Sequence, residues 1–341
     1  MDAMAQANFS EGIACGSWSS ASQRSALAVP LLGSSFAAFL LLAFAAACPS
    51  AAIGQTETAI ALERHYEEGE LVAYRMQATN EGHVRNIRYE ARVAGVVKKN
   101  AAGAFVEELA WSDVSVNGQA VTLDAASEQF RETLSLGPDF SLSIPDLSHV
   151  QPILIGPVTD LLAFYADVQL AMRQKTLEKP EDHVSVKHNV PNSWADGTYV
   201  VVGEDAVDFD ITLKSVDKVA MTALLVVRHV PPREPAIQWP AAWMQAPVSD
   251  TANNWVEVEK TGDKYAAEVG KETFEADITV GLATGRILSA AMDNPVDVLQ
   301  RNCSDRALTA CGAPERYRIR RQIAIVAEEM GKDARPQAPS K

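Results

Sequence analysis

Two short motifs in the chain could supply a serine nucleophile together with a lysine base. Ser215 and Lys218 have the S-x-x-K spacing, and Lys260-Thr261-Gly262 forms a K-T-G motif. An S-x-x-K pair functions when a helix places the lysine one turn above the serine. Here the flanking residues predict a β-hairpin with a two-residue turn at Asp217-Lys218, and the chain has no S-D-N motif. We therefore assign no acyl-transfer chemistry to these residues.

The chain also contains residue types that bind metal ions, but they lack the spacing that a metal site needs. His183 and His188 are five residues apart on a predicted strand, so their side chains lie on opposite faces. Asp208 and Asp210 share a strand face and could bind calcium, but the Gly-containing ligand loop of a calcium site is missing. We predict ordinary surface residues here, with no metal and no cofactor.

Three tryptophans, Trp239, Trp243 and Trp255, cluster within or beside one irregular segment, 231–254, which is rich in Pro and Ala. Trp239 and Trp243 lie within it and could line a site for a sugar or a lipid. The alternative is that they attach a long loop to the body of the protein. We retain both interpretations and include these two residues among the candidate ligand-binding residues.

The N-terminal residues 1–54 have the order of a leader for export. Arg24 precedes an uncharged stretch, 26–48, and small residues follow up to an acceptable cleavage site at Ala52-Ile53-Gly54. An uncleaved membrane anchor and a lipidated Cys48 are the alternatives. Each of the three interpretations places the rest of the chain outside the cytoplasm, in a periplasmic or extracellular position, soluble or membrane-tethered.

Charge and cysteine content agree with an exported protein. The formal net charge is −14, and the leader contributes −1 through Asp2, Glu11 and Arg24, which leaves −13. Such an acidic chain repels phosphate backbones, so nucleic acid is excluded as a partner. Outside the leader only Cys303 and Cys311 remain. In an oxidising compartment this pair predicts a disulfide that closes a short loop.

Strict alternation of apolar and polar residues predicts a mainly β fold built from antiparallel strands. Val219–Val227 is apolar almost throughout, which predicts a central strand covered on both faces. Asn117-Gly118, Gly262-Asp263 and Thr284-Gly285 predict hairpin turns. The alternation is clearest in five segments: Val72–Met76, Ile87–Val93, Val207–Leu213, Phe274–Val280 and Tyr317–Ile325, the last interrupted only by Arg321.

One amphipathic helix is predicted between two β-rich halves. Thr159 is a suitable N-cap, Asp160 suits the positive end of the helix, and Pro180 ends it. The predicted organisation is a leader at 1–54, a first β-rich half at 55–158, the helix at 159–180, a second β-rich half at 181–330 and a polar tail at 331–341. The predicted fold is therefore one or more curved antiparallel sheets, or a half-barrel, with one central helix.

This pattern resembles the LolA/LolB-type periplasmic lipoprotein carriers and related mycobacterial lipid-binding lipoproteins. The resemblance rests on the export signal, the strands from Leu71 to Leu136, the helix from Thr159 to Thr176 and the hairpins from Val207 to Met292. It is a resemblance of pattern, so no functional residue is carried over. It implies a half-open barrel with a helical lid that holds acyl chains.

The first functional hypothesis is accordingly a non-catalytic envelope protein that binds an apolar or amphiphilic ligand, such as a lipid or a lipoprotein. A structural or protein-interaction module of the envelope, with an envelope protein as its partner, is the second. An extracytoplasmic hydrolase, whose acid–acid or Ser–His pair is formed only in three dimensions, is the third. The candidate ligand-binding residues on the strands and the helix are Val72, Tyr74, Met76, Phe164, Tyr165, Val168, Phe209 and Ile211.

Overall fold

A computed structural model of the chain describes residues 60, 62–83, 86–137, 142, 145–173, 177–189, 199–202, 206–230 and 241–329. The predicted leader at 1–54, the predicted tail at 331–341 and Trp239 lie outside these residues.

The described residues form fourteen strands, two α-helices and one turn of 3-10 helix, Ala242–Gln245. The α-helices are α1 (Ala125–Gln129) and α2 (Pro152–Arg173). The strands are β1 (Leu71–Glu81), β2 (Asn86–Lys99), β3 (Phe105–Val116), β4 (Gln119–Ala120), β5 (Glu132–Leu134), β6 (His183–Asn189), β7 (Tyr199–Val202), β8 (Ala206–Asp217), β9 (Thr222–Val230), β10 (Trp255–Thr261), β11 (Lys264–Glu272), β12 (Glu275–Gly281), β13 (Ile287–Cys303) and β14 (Glu315–Ala327).

All of these strands belong to one antiparallel sheet that is curved and open, which confirms the predicted mainly β fold. Its main path runs β4-β3-β2-β1-β14-β13-β12-β9-β8-β6. Strand β14, from the C-terminal part of the chain, pairs with β1, so that Tyr74 lies opposite Ala327. The strands of the two predicted β-rich halves are thus neighbours in a single sheet.

Alternation along the strands gives the sheet a buried inner face, which α2 covers, and a solvent-exposed outer face. On β1, Tyr74 and Met76 are fully buried on the inner face, whereas Arg75 and Gln77 are exposed. Side chains from strands in both halves of the sheet, together with side chains from α2, form one continuous hydrophobic cluster. Burial of this apolar surface is the dominant stabilising contribution to the fold.

Two of the predicted hairpin turns are confirmed. Asn117 and Gly118 join β3 to β4, and both have positive φ angles, 49° and 78°, as a two-residue hairpin turn requires. Gly262-Asp263 joins β10 to β11 as a two-residue turn in which Gly262 has a positive φ of 61°. Thr284 and Gly285 lie within a longer connection between β12 and β13.

The predicted two-residue turn at Asp217-Lys218 is wrong, and so is the start of the strand that follows it. Strand β9 begins at Thr222, so the turn contains four residues, 218–221. The Asp217 carboxylate accepts hydrogen bonds from the backbone N–H groups of Val219 and Ala220, which favours this longer turn. As a result Val219 is 97% exposed instead of buried.

The boundaries predicted for the helix are also wrong. Helix α2 begins at Pro152, where proline fits the first turn, and continues through Pro157. Thr159 is therefore not an N-cap, and its hydroxyl contacts the backbone carbonyls of Ile155 and Gly156. The helix ends at Arg173, and 177–180 are not helical. Fourteen of its 22 residues are buried, and its most apolar window has a mean hydropathy of 1.4, so it is an apolar helix and not the amphipathic one predicted.

By length and composition α2 could cross a membrane, and 67% of its most apolar window is buried inside the protein.

The sheet forks along the long strand β13. One edge of β13 pairs with β14, and the other pairs first with β12 and then with β11, which continues into β10 and β7. The branch has its own hydrophobic cluster, which includes Met244, Tyr265 and Leu308. The predicted disulfide between Cys303 and Cys311 is confirmed, and it closes a loop beside this cluster.

Candidate functional site

The residues predicted to contact a ligand on the strands and the helix belong to one buried hydrophobic cluster. Each is at most 5% exposed, and together they form part of the hydrophobic cluster between the inner face and the helix. Their sites are thus filled by protein in this structure. The residues are Val72, Tyr74, Met76, Phe164, Tyr165, Val168, Phe209 and Ile211.

The two candidate tryptophans are not part of this cluster. Trp239 lies outside the described residues. Trp243 packs against the second cluster, on the branch of the sheet, and its indole N–H donates to the carbonyl of Leu308 at 2.8 Å. This contact attaches the 3-10 helix to the disulfide loop, as the alternative interpretation of the tryptophans predicts.

An ion pair joins the N-terminal half of α2 to the inner face. The Arg321 Nη2 on β14 lies 2.6 and 2.7 Å from the two carboxylate oxygens of Asp160. The Tyr89 hydroxyl on β2 donates a short hydrogen bond to the same carboxylate. Burial raises the pKa of Asp160, and Arg321 and Tyr89 oppose that shift. We call Tyr89, Asp160 and Arg321 the Asp160 cluster.

A second buried polar group lies under the middle of α2. Glu107 on β3 accepts hydrogen bonds from the Arg64 guanidinium, at 3.2 Å, and from the Tyr165 hydroxyl of α2. The Tyr165 and Tyr74 hydroxyls are 3.0 Å apart. Burial raises the pKa of Glu107, and the Arg64 charge and the Tyr165 hydrogen bond act in the opposite direction. We call Arg64, Tyr74, Glu107 and Tyr165 the Glu107 cluster.

The two clusters differ in how they cross the contact between helix and sheet. In the Asp160 cluster the anion belongs to α2 and the cation to β14, so the ion pair itself spans the contact. In the Glu107 cluster both charged groups, Arg64 and Glu107, lie outside the helix. Of these two ion pairs, displacement of α2 would therefore break Asp160–Arg321 and leave Arg64–Glu107 intact.

Two further carboxyl groups are buried nearby. Glu132 on β5 accepts a hydrogen bond from the Trp111 indole at 2.9 Å, and its other oxygen has no hydrogen-bond partner. Burial raises the pKa of Glu132 to about 8, and burial alone raises that of Asp167 on α2 to about 8. Burial thus favours the protonated form of both groups.

Sequence reasoning missed the charged residues of both clusters, although one signal was visible. Arg321 is the single interruption in the alternation of β14, where a buried position carries a charge. A charge at a buried position requires a partner, but the sequence does not say which. The sequence instead explains Asp160 as a residue of the first helical turn, because a negative charge is favourable at the N-terminus of a helix.

The motifs first considered for chemistry are not assembled by the fold. Ser215 lies in β8 and Lys218 in the following turn, so no helix aligns them. His183 contacts Asp210 across the β6–β8 pair, with 3.3 Å between Nδ1 and Oδ1. Within the described ranges, no group of three or more His, Cys, Asp or Glu side chains could hold a metal ion.

Comparison of the chain with protein-family models and with curated proteins finds no match.

Proposed function

We propose that this chain is an exported cell-envelope protein that binds an apolar or amphiphilic ligand, without catalysis, on the inner face of its sheet. The observation that carries the proposal is the position of α2. It is an apolar helix, and it covers an apolar sheet face that includes Tyr74 and Met76. If α2 moves away, it leaves an apolar surface on which an acyl chain can lie.

Polar contacts between α2 and the sheet support a movable helix. Asp160, Tyr165 and Gln169 each bond to a group outside the helix, the last to the carbonyl of Ser135. Buried ion pairs and polar networks contribute little net stability compared with an apolar contact, because water solvates the same groups when they separate. Such a contact positions the helix while making its separation from the sheet less costly.

The export part of the proposal is supported by two independent features. Residues 1–54 have the charge and hydropathy order of a leader, and Cys303 and Cys311 form a disulfide. Structural disulfides persist mainly in oxidising compartments such as the periplasm or the cell exterior. Both features favour a position outside the cytoplasm.

The direct test is native mass spectrometry of the protein purified from the cells that make it, followed by solvent extraction. We expect a mass above that of the polypeptide and a lipid or other amphiphile in the extract. A clean apo mass with an empty extract, together with no binding of added oleate or 1-oleoylglycerol, would contradict the proposal.

Hydrogen exchange tests the role of α2 separately. We expect amide exchange in 152–173 to become faster when oleate or 1-oleoylglycerol is added below its micelle concentration, because the ligand replaces the helix on the sheet. The β10–β11 hairpin lies on the branch of the sheet and is the internal control, with unchanged exchange. Binding without any change in α2 would place the ligand elsewhere.

The complete burial of the inner face favours a second candidate, a structural or protein-interaction module of the envelope. Tyr74, Met76 and Ile211 are all fully buried, as expected of a permanent core. In that case no amphiphile copurifies with the protein, and exchange in α2 stays as slow as in β1 and β2. Capture of an envelope protein partner then becomes the decisive experiment.

A further inference from the structure

Two hydrogen-bond donors on the sheet converge on the carboxylate of Asp160. One is Arg321 Nη2, within 2.7 Å of both oxygens, and the other is the Tyr89 hydroxyl. Gly156, one turn earlier in α2, lies beside the same donors, at a distance where even a Cβ atom would make only ordinary van der Waals contact. A Cβ atom there would lie 3.5 Å from the Tyr89 hydroxyl oxygen and 3.6 Å from Arg321 Nη2.

Both donors remain on the sheet if α2 is displaced, because Tyr89 belongs to β2 and Arg321 to β14. The acceptor, Asp160, leaves with the helix. Charged donors that lose a buried acceptor are costly unless another acceptor takes its place. The Arg64–Glu107 ion pair presents no such vacancy, because both partners stay in place.

The residues beside Arg321 extend this polar position across three strands. Asn80 on β1 and Asn294 on β13 are its neighbours in register. Asn294 is 2% exposed, and its side-chain oxygen has no hydrogen-bond partner, so it can accept a hydrogen bond from a hydroxyl group. Two residues further along the same strands the inner face is apolar, with Ala78, Ile323 and Met292.

We propose that the Asp160 carboxylate occupies the position of the anionic head group of the ligand, bound by Arg321 and Tyr89, with the acyl chain along the adjacent apolar rows. The ligand is then an anionic amphiphile with a carboxylate or phosphate head. This inference rests on the proposed function, because it requires α2 to leave the inner face. It also makes Asp160 an internal competitor of the ligand.

The test compares three probes that share one oleoyl chain and differ in the head: oleate, 1-oleoyl-lysophosphatidic acid and 1-oleoylglycerol. Binding to the full chain is measured for each below its micelle concentration. We expect at least one anionic probe to bind about tenfold or more tightly than the neutral one, since charge-assisted hydrogen bonds are the strong ones. The tighter of the two anions identifies the head group as carboxylate or phosphate.

Variants assign this preference to the two donors. R321Q and Y89F should each reduce the ratio of the affinity for the anionic probe to the affinity for the neutral probe. In R321Q this ratio should fall to about one. R320Q is the matched control: Arg320 is the adjacent residue of β14, but it faces the outer surface and pairs with Asp293. R320Q removes the same charge and should leave the ratio unchanged. If R321Q does not fold, the affinity ratio of Y89F tests the head-group site instead, because this variant removes only a single hydroxyl group.

The outcomes separate this inference from the function on which it rests. Equal binding of all three probes, or an equal loss of preference in R320Q and Y89F, overturns the head-group site and leaves the carrier proposal standing. Failure of all three probes to bind overturns both. D160N supplies an additional readout: it should increase the affinity for each probe, because the internal competitor is weakened.

Discussion

Asp160 on α2 and Arg321 on β14 are 161 residues apart in the chain and form a buried ion pair, with 2.6 Å between Oδ1 and Nη2. Their side chains are 0% and 9% exposed. The pair attaches the only long helix in the described part of the chain to the centre of the sheet. Removal of one partner should therefore destabilise the folded protein, because the other charge would stay buried without it.

The first prediction concerns this ion pair and the free energy of unfolding. D160N should lower the stability by about 3 kcal/mol or more, because Arg321 stays buried without its carboxylate. The double variant D160L/R321M, which replaces both charges by apolar side chains, should recover most of that loss. Urea unfolding followed by circular dichroism measures both effects.

The exposed pair of Arg320 and Asp293 is the control for that experiment. Its side chains are each 44% exposed, so D293N should have a much smaller effect than D160N. Equal losses in D160N and D293N would show that Asp160 is not buried against Arg321 in solution.

The second prediction concerns stability against pH. The pKa of Glu132 is about 8 in the folded protein, against 4.5 as its ordinary value. Between these two pH values the folded state holds a proton that the unfolded state has lost. Stability should therefore fall as the pH rises from about 5 to 8, by about 1.4 kcal/mol per pH unit for this group. Asp167 should contribute a fall of the same sign.

E132Q tests the assignment, because a glutamine can still accept the Trp111 hydrogen bond but does not titrate. The slope of unfolding free energy against pH should become less negative in E132Q. In D146N, the control, the substituted group is exposed, and hydrogen bonds from Ser148 hold the pKa of that carboxyl below its usual range. D146N should leave the fall between pH 5 and 8 in place. A wild-type slope retained in E132Q would refute the assignment.

The third prediction tests the pairing of β2 with β3. A Cβ atom on Gly95 would lie 1.8 Å from the backbone oxygen of Glu108 on the neighbouring strand. G95A should cost about 3 kcal/mol or more, because a backbone must move to admit it. Gly103, in the turn between these strands, has open space around it and a φ of +82°. G103A should cost only about 1–2 kcal/mol. Thermal unfolding distinguishes the two, and a tolerated G95A would exclude this register.

The fourth prediction concerns the Cys303–Cys311 disulfide, which closes a loop around the buried Leu308. Removing it in C303A/C311A should cost about 2–3 kcal/mol, the loss expected for a loop of this length. The Trp243 indole N–H donates a hydrogen bond to the Leu308 carbonyl. Without the disulfide this indole should become more solvent-exposed, which shifts its fluorescence to longer wavelength. Reduction of the wild-type protein should reproduce both effects, and unchanged stability after reduction would contradict the prediction.

Most strands and two of the turns could be predicted because they depend on local rules. Alternation of side chains follows from the geometry of a single strand, and Asn117-Gly118 has the backbone freedom that a tight turn needs. The disulfide was predictable by elimination, since only Cys303 and Cys311 lie outside the predicted leader. The turn at 218–221 was missed because one side chain, Asp217, lengthens it.

The start of α2 was not predictable from the same rules. Thr159 and Asp160 together indicated a helix beginning at Thr159. Burial of the preceding residues Leu154 and Val158 in the core extends it back to Pro152. Local preferences are worth about 1 kcal/mol or less per residue, and the burial of apolar side chains outweighs them.

The sequence by itself determined the class of the fold, the paired cysteines and which side of most strands faces inwards, because those depend on neighbouring residues. Only the tertiary structure decided the pairing of β1 with β14, the filling of the inner face by α2 and the partnership of Asp160 with Arg321. These features join residues that are distant in the chain, by 58 positions for Glu107 and Tyr165 and by 161 for Asp160 and Arg321. A buried charge selects its partner by position in space, and no periodic pattern along the chain encodes that position.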